Sequence, residues 1–175
     1  MSRLSGITCY CNSKKPNVTM TKILDRARAS ELRDKYGGKT IVFTNGCFDI
    51  LHVGHVRYLA AAKRLGDLLV VGLNSDESVR ELKGVGRPLN SQEDRAEVMA
   101  ALEAVDHVII FTEKRVSHLL RQMRPQVYTK GGDYTVDRLD PEEVAALKEI
   151  NARIEILPLV PGKSTSKLLQ TIQHL

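Results

Sequence analysis

Apolar residues along the chain gather into short runs that alternate between strand-like and helix-like spacing. Thr40 to Thr44, Asp67 to Leu73, His107 to Phe111, Val127 to Lys130 and Ile154 to Leu157 are bounded, apolar and rich in β-branched residues, and each predicts a strand. Between them, Gly54 to Leu65, about Glu77 to Leu82, Ser91 to about Leu102, Val116 to Met123 and Pro141 to Ile150 show helical periodicity. Ser91 is placed to cap its helix, and Pro141 falls at a first helical position. Upstream, Ile23, Leu24, Ala27 and Leu32 share one side of a predicted amphipathic helix, Ile23 to Tyr36, which Gly37-Gly38 ends. A last helix is expected to begin near Ser164.

Repeated strand–helix units predict an α/β fold: a single doubly wound, mainly parallel, five-stranded sheet with helices on both faces. The near-continuous apolar character of Asp67 to Leu73 fits a strand covered on both sides. Ligands of such sheets bind beyond the carboxyl ends of the strands, where the strand order reverses. Residues 1–20 lack periodicity and predict a loosely ordered tail before one domain spanning 21–175; a start at Met20 would lose no assignable element.

Composition narrows the partners. The 175 residues are enough for one domain with a real core. Lys plus Arg exceed Asp plus Glu by 26 − 21 = 5, which suits anionic small substrates. With aromatics at 5% and no Trp, a base-stacking platform is disfavoured, so nucleic acid is not the expected partner. Cys9, Cys11 and Cys47 make no disulfide framework. No apolar run approaches the roughly 20 residues of a membrane span, and the amino terminus lacks a secretory core. A cytoplasmic protein is expected.

The chemistry concentrates in Thr44 to His55, TNGCFDILHVGH, which joins the first strand to its helix. A helix amino terminus offers unpaired N–H groups and partial positive charge to a phosphate. His52 and His55 stand there three residues apart, and Gly54 between them admits close backbone approach.

HVGH behind Asn45-Gly46-Cys47-Phe48-Asp49 resembles the cytidylyltransferase-like nucleotidylyltransferases, whose Rossmann-like fold agrees with the pattern above. The resemblance covers about residues 22–172. It implies that the two histidines stabilise the transition state as an alcohol or sugar phosphate attacks a nucleoside triphosphate at its α-phosphorus. Such a nucleophile is already anionic and needs no base. By the same resemblance Lys83 reaches the reacting phosphates from a mobile-looking loop, LKGVGRP, and joins the catalytic pair.

Nucleotide binding is implied for Asn45, Gly46, Cys47, Phe48, Gly54 and Arg95, for Gly131 and Asp133 of KGGDY, and for Lys163, Ser164, Thr165 and Ser166 of GKSTS. Substrate binding is implied for Asp49, Asp76, Lys83 and Arg87. The plainer readings are turn capping for Asp49, a simple turn for KGGDY and a helix cap for one hydroxyl of GKSTS. No resident metal is called for; Mg²⁺ travels with ATP.

KGGDY, ALEAVDHVIIF and GKSTS are most similar to one branch, the heptose 1-phosphate adenylyltransferases. That branch implies AMP transfer from ATP to D-glycero-β-D-manno-heptose 1-phosphate, giving ADP-heptose and pyrophosphate. It further implies a homodimer and, since 175 residues do not accommodate a sugar kinase as well, a separate kinase. The alternatives are a cytidylyltransferase acting on glycerol 3-phosphate, an FMN adenylyltransferase, and a nucleotide-binding module without catalysis.

Overall fold

Two apolar layers sandwich one parallel sheet. The computed structural model describes residues 21–132 and 136–158, with 162, 165, 168, 169 and 171. Its strands are β1 (Ile23–Leu24), β2 (Ile41–Gly46), β3 (Leu68–Asn74), β4 (His107–Phe111), β5 (Val127–Gly131) and β6 (Arg153–Leu157). They lie in the order β1-β4-β3-β2-β5-β6, and every pairing is parallel. The helices are α1 (Glu31–Lys35), α2 (Val53–Lys63), α3 (Asp76–Lys83), α4 (Gln92–Ala101), α5 (Ser117–Met123) and α6 (Pro141–Glu149), with 3₁₀ turns at Arg26–Ala29 and Val136–Arg138.

The sheet therefore has six strands, not five. The predicted helix from Ile23 to Tyr36 is divided into β1, a 3₁₀ turn and α1. Ile23 and Leu24 pair with Val108 and Ile109 at the open edge of β4, and Asp25 stays extended at ψ 144. The edge of β4 supplies hydrogen bonds that helical periodicity within the segment does not reveal.

Strand alternation sends successive side chains to opposite layers. Ile41, Phe43, Leu68, Val70, Ile109 and Tyr128 pack with Leu119, Leu120 and Leu147 on the α5–α6 side. Val42, Leu69, Val71, Leu73, Val108 and Val127 pack with Leu59, Ala62, Met99 and Ala100 on the α2–α4 side. Both faces are thus apolar, which explains the unbroken hydrophobic runs of β2 and β3.

From β2 the chain proceeds outward through β3 and β4; it then returns to lay β5 on the other side of β2. The order reverses between β2 and β5, whose carboxyl ends are Asn45-Gly46 and Lys130-Gly131. A buried hydroxyl cluster fastens this point. Thr44 Oγ1 lies 2.8 Å from the Tyr58 hydroxyl and donates to Thr129 O at 3.1 Å, while the Tyr58 hydroxyl is 3.0 Å from Thr129 Oγ1. One tyrosine thereby ties α2 to both strands directly beneath the β2–α2 turn.

Candidate active site

Residues Cys47 to Leu51 turn the chain from β2 into α2. Phe48 takes the left-handed conformation at φ 45, unusual for a residue with a bulky side chain. Its buried ring covers Gly46, where an added Cβ would meet Phe48 Cε2 at 3.1 Å, and meets the His55 ring edge-on at 5.4 Å. A side chain at position 46 would therefore press on the Phe48 ring.

His52 is the N-cap of α2. Its backbone is extended, and its Nδ1 accepts from Gly54 N at 3.1 Å. In the neutral ring, that bond leaves the proton on Nε2, so the atom away from the cap is a donor. The His55 ring stacks on His52 with centroids 4.0 Å apart. Burial, with the neighbouring His52 adding to it, lowers the pKa of His55 to about 4, so His55 is neutral at pH 7. Its Nδ1 is buried with no partner among the described residues.

Asp49, 8% exposed in its side chain, has both oxygens engaged. Oδ2 meets Arg87 Nη1 at 2.5 Å, and Oδ1 accepts from Leu89 N at 2.8 Å and Asn90 N at 3.1 Å. It caps N–H groups of the loop after α3 rather than those of its own turn. That loop leaves Lys83 exposed, with Gly84 and Gly86 at positive φ beyond it.

Arg95 stands behind the site's surface, only 2% exposed. Its guanidinium donates to Cys47 O at 2.6 Å, Asn74 O at 2.8 Å, Asn90 O at 3.1 Å and Asp76 Oδ1 at 2.7 Å. One side chain thus clamps the β2–α2 turn, the end of β3, the loop before α4 and the start of α3. In this structure Arg95 and Asp76 hold one another, and the arginine offers the binding surface no exposed face.

Cys47 is a half-buried free thiol. Burial raises its pKa, and the charges of Lys83, Arg95 and Lys130 act in the opposite direction. Three cations therefore gather around this turn. Lys130, to which the sequence reading gave no role, is 9% exposed, with its ammonium 5.6 Å from the centre of the Tyr128 ring. A lysine inside a covered parallel strand is itself a signal.

Gly131 ends β5, beside these residues. Thr165 Oγ1 donates to Ile50 O at 3.4 Å, bringing one hydroxyl of GKSTS to the β2–α2 turn. Asp133, Lys163, Ser164 and Ser166, the tail 1–20 and most of the segment expected to form a last helix from near Ser164 lie outside the described residues. Asn45 contacts Tyr128, whose hydroxyl also approaches Glu143; neither partner stands out in the sequence. Among the described residues, no helix is long and apolar enough to cross a membrane, and no group of three or more His, Cys, Asp or Glu is gathered as a metal would require.

The cytidylyltransferase-like family matches residues 43–170. The bifunctional protein HldE of Geotalea uraniireducens is 50% identical over 152 residues, 87% of this chain and 31% of that protein. HldE of Geobacter sulfurreducens is 50% identical over 139 residues, 79% of this chain and 28% of its own length. The chain spans about a third of the length of these curated relatives. Among solved structures, a lipopolysaccharide core biosynthesis protein from Thermoplasma volcanium superposes with TM-score 0.59 at 28% identity, over 70% of this chain and 98% of that one. A pantoate-β-alanine ligase from Francisella tularensis shares the fold alone, at TM-score 0.53 and 17% identity, over 82% of this chain and 68% of its own.

Proposed function

Since the chain belongs to the cytidylyltransferase-like family and is a nucleotidylyltransferase, we propose that it transfers AMP from ATP to D-glycero-β-D-manno-heptose 1-phosphate, giving ADP-heptose and pyrophosphate. The observation that carries the proposal is the stacked His52–His55 pair at the amino terminus of α2, beside the switch point of the sheet. The choice of acceptor rests on the stretches KGGDY, ALEAVDHVIIF and GKSTS. It is supported by the roughly half-identical HldE relatives and by the similar structure described as a lipopolysaccharide core biosynthesis protein.

In this reading a phosphate oxygen of the sugar attacks the α-phosphorus in line, a new P–O bond forms, and pyrophosphate leaves with the electrons of the broken bond. His52 Nε2–H and the helix amino terminus donate to phosphate oxygens as their charge shifts in the transition state. His55, neutral before the ligand arrives, gains proton affinity from the incoming anion. Lys83 closes on the same phosphates, and Thr165 with its neighbouring hydroxyls takes the far end of the triphosphate. Mg²⁺ enters on ATP, where it offsets phosphate charge. Arg95 and Asp49 position these groups through the loops they clamp. The proposal keeps a cytoplasmic homodimer whose sugar phosphate is the product of a sugar kinase.

Pyrophosphate release, measured with Mg²⁺ while crossing ATP and CTP with heptose 1-phosphate and glycerol 3-phosphate, tests this. Release with ATP and the heptose alone is expected. Release only with CTP would retain the mechanism and discard the acceptor branch. Binding of nucleotide without release in any pair would favour a non-catalytic module.

A further inference from the structure

We infer, resting on the reading above, that Glu143 and Tyr128 are positioning residues that turn the side-chain carbonyl of Asn45, rather than its NH₂ group, toward the bound substrates. The inference comes from counting protons. The Tyr128 ring is fully buried and stacked on Phe43 at 6.2 Å. Its hydroxyl faces two acceptors as placed, Asn45 Oδ1 at 2.9 Å and Glu143 Oε2 at 3.1 Å. A phenol has one proton to give, so it donates to one neighbour and accepts from the other.

Glu143 decides which. It stands in the first turn of α6, behind the Asp140 cap and Pro141. A carboxylate only accepts, so the phenol proton goes to Glu143. The phenol oxygen must then accept from Asn45, whose Nδ2 takes the place facing Tyr128. Rotating the amide by a half-turn achieves this without moving any other atom.

The outward atom of that amide has no hydrogen-bond partner among the described residues, and Asn45 is only half-buried. It stands at the carboxyl end of β2, one residue before Gly46. Carrying the carbonyl there, Asn45 repels phosphate oxygens and accepts from an O–H or N–H group. Its ligand is therefore a substrate hydroxyl or a base amino group, and the phosphates fall to His52, His55 and the lysines. The sheet thus divides its carboxyl edge between a donor-rich half at α2 and an acceptor at Asn45.

Amide exchange in the intact, ligand-free chain tests the order directly. The Asn45 side-chain signal, assigned by its loss in Asn45→Ser, is expected to show one proton exchanging slowly with water, and Tyr128→Phe is expected to abolish that protection. Wild-type Asn45 protons exchanging as fast as those of exposed Asn151 would overturn the inference, whether or not the variant folds. In turnover, Tyr128→Phe is expected to raise the KM of one substrate about tenfold with kcat little changed, the size of one lost oriented hydrogen bond. Glu143→Gln, still able to accept through its carbonyl, should restore what Glu143→Leu loses. Folded Tyr128→Phe with wild-type KM for both substrates would overturn the positioning role. Absence of turnover in the wild type would instead strike the reaction proposed above and leave the exchange result standing.

Discussion

His52 and His55 hold their imidazole rings stacked, 26° apart in plane and 4.0 Å between centres, while His52 alone accepts the Gly54 N–H. The first histidine caps α2 and, in the proposed reaction, also offers a donor to the substrate. Substitution separates them.

Asparagine is a good N-cap, so His52→Asn should change stability by no more than about 0.5 kcal/mol, whereas His52→Ala should cost about 1 kcal/mol. Both should lower kcat by roughly 10²-fold, as loss of one transition-state donor does, and His55→Ala should do the same. Chemical denaturation and pyrophosphate release measure the two effects. An effect of His55→Ala confined to KM would remove the transition-state role.

Stability should also carry the mark of the His55 ring. Its pKa falls from 6.5 to about 4 on folding, so between those values the unfolded chain binds more protons. The ring's contribution is intact above about pH 6.5 and is lost as pH falls toward 4. Because the ring is partly open to solvent, the loss is on the order of 1–2 kcal/mol rather than the full linkage value. His55→Gln should flatten this part of the wild-type stability curve between pH 7 and 4.5, measured by denaturation at each pH. Parallel curves would show that the ring titrates normally.

Removing the Arg95 guanidinium leaves the carbonyls of Cys47, Asn74 and Asn90 without their donor and Asp76 without its ion pair. Arg95→Met should cost about 3 kcal/mol, or roughly 6–12 °C in Tm. Thermal unfolding checks it. A shift of a degree or two would mean that the clamp is dispensable.

Gly66 is required by a close approach. An added Cβ would lie 2.7 Å from Thr40 O, which already accepts from Asp67 N and Leu68 N and cannot easily withdraw. Gly66→Ala should therefore destabilise by about 2 kcal/mol, as overpacked sites do. Urea denaturation with an unchanged midpoint would contradict the geometry.

The local features were legible in the residues themselves. Ser91 caps α4 through Asp94 N, Pro141 opens α6, and HVGH starts α2 beyond β2, because capping and periodicity operate within a few residues of chain. Tertiary packing decided what periodicity misassigned. Ile23 and Leu24 are a strand because β4 offers them an edge, and no neighbour in sequence announces it. Packing likewise decided where long polar side chains turn. Arg95 points inward because four separate loops and ends bring three carbonyls and a carboxylate within its reach, and Asp49 holds a loop some forty residues away. Asn45 has a defined orientation only because β5 brings Tyr128, and α6 brings Glu143, to its side. The five central strands, most of the helices and the histidine pair were readable from the residues alone, since their causes are local. Which polar groups are left free at the candidate site and which hold it together depends on folding, since a hydrogen bond needs partners that folding alone assembles.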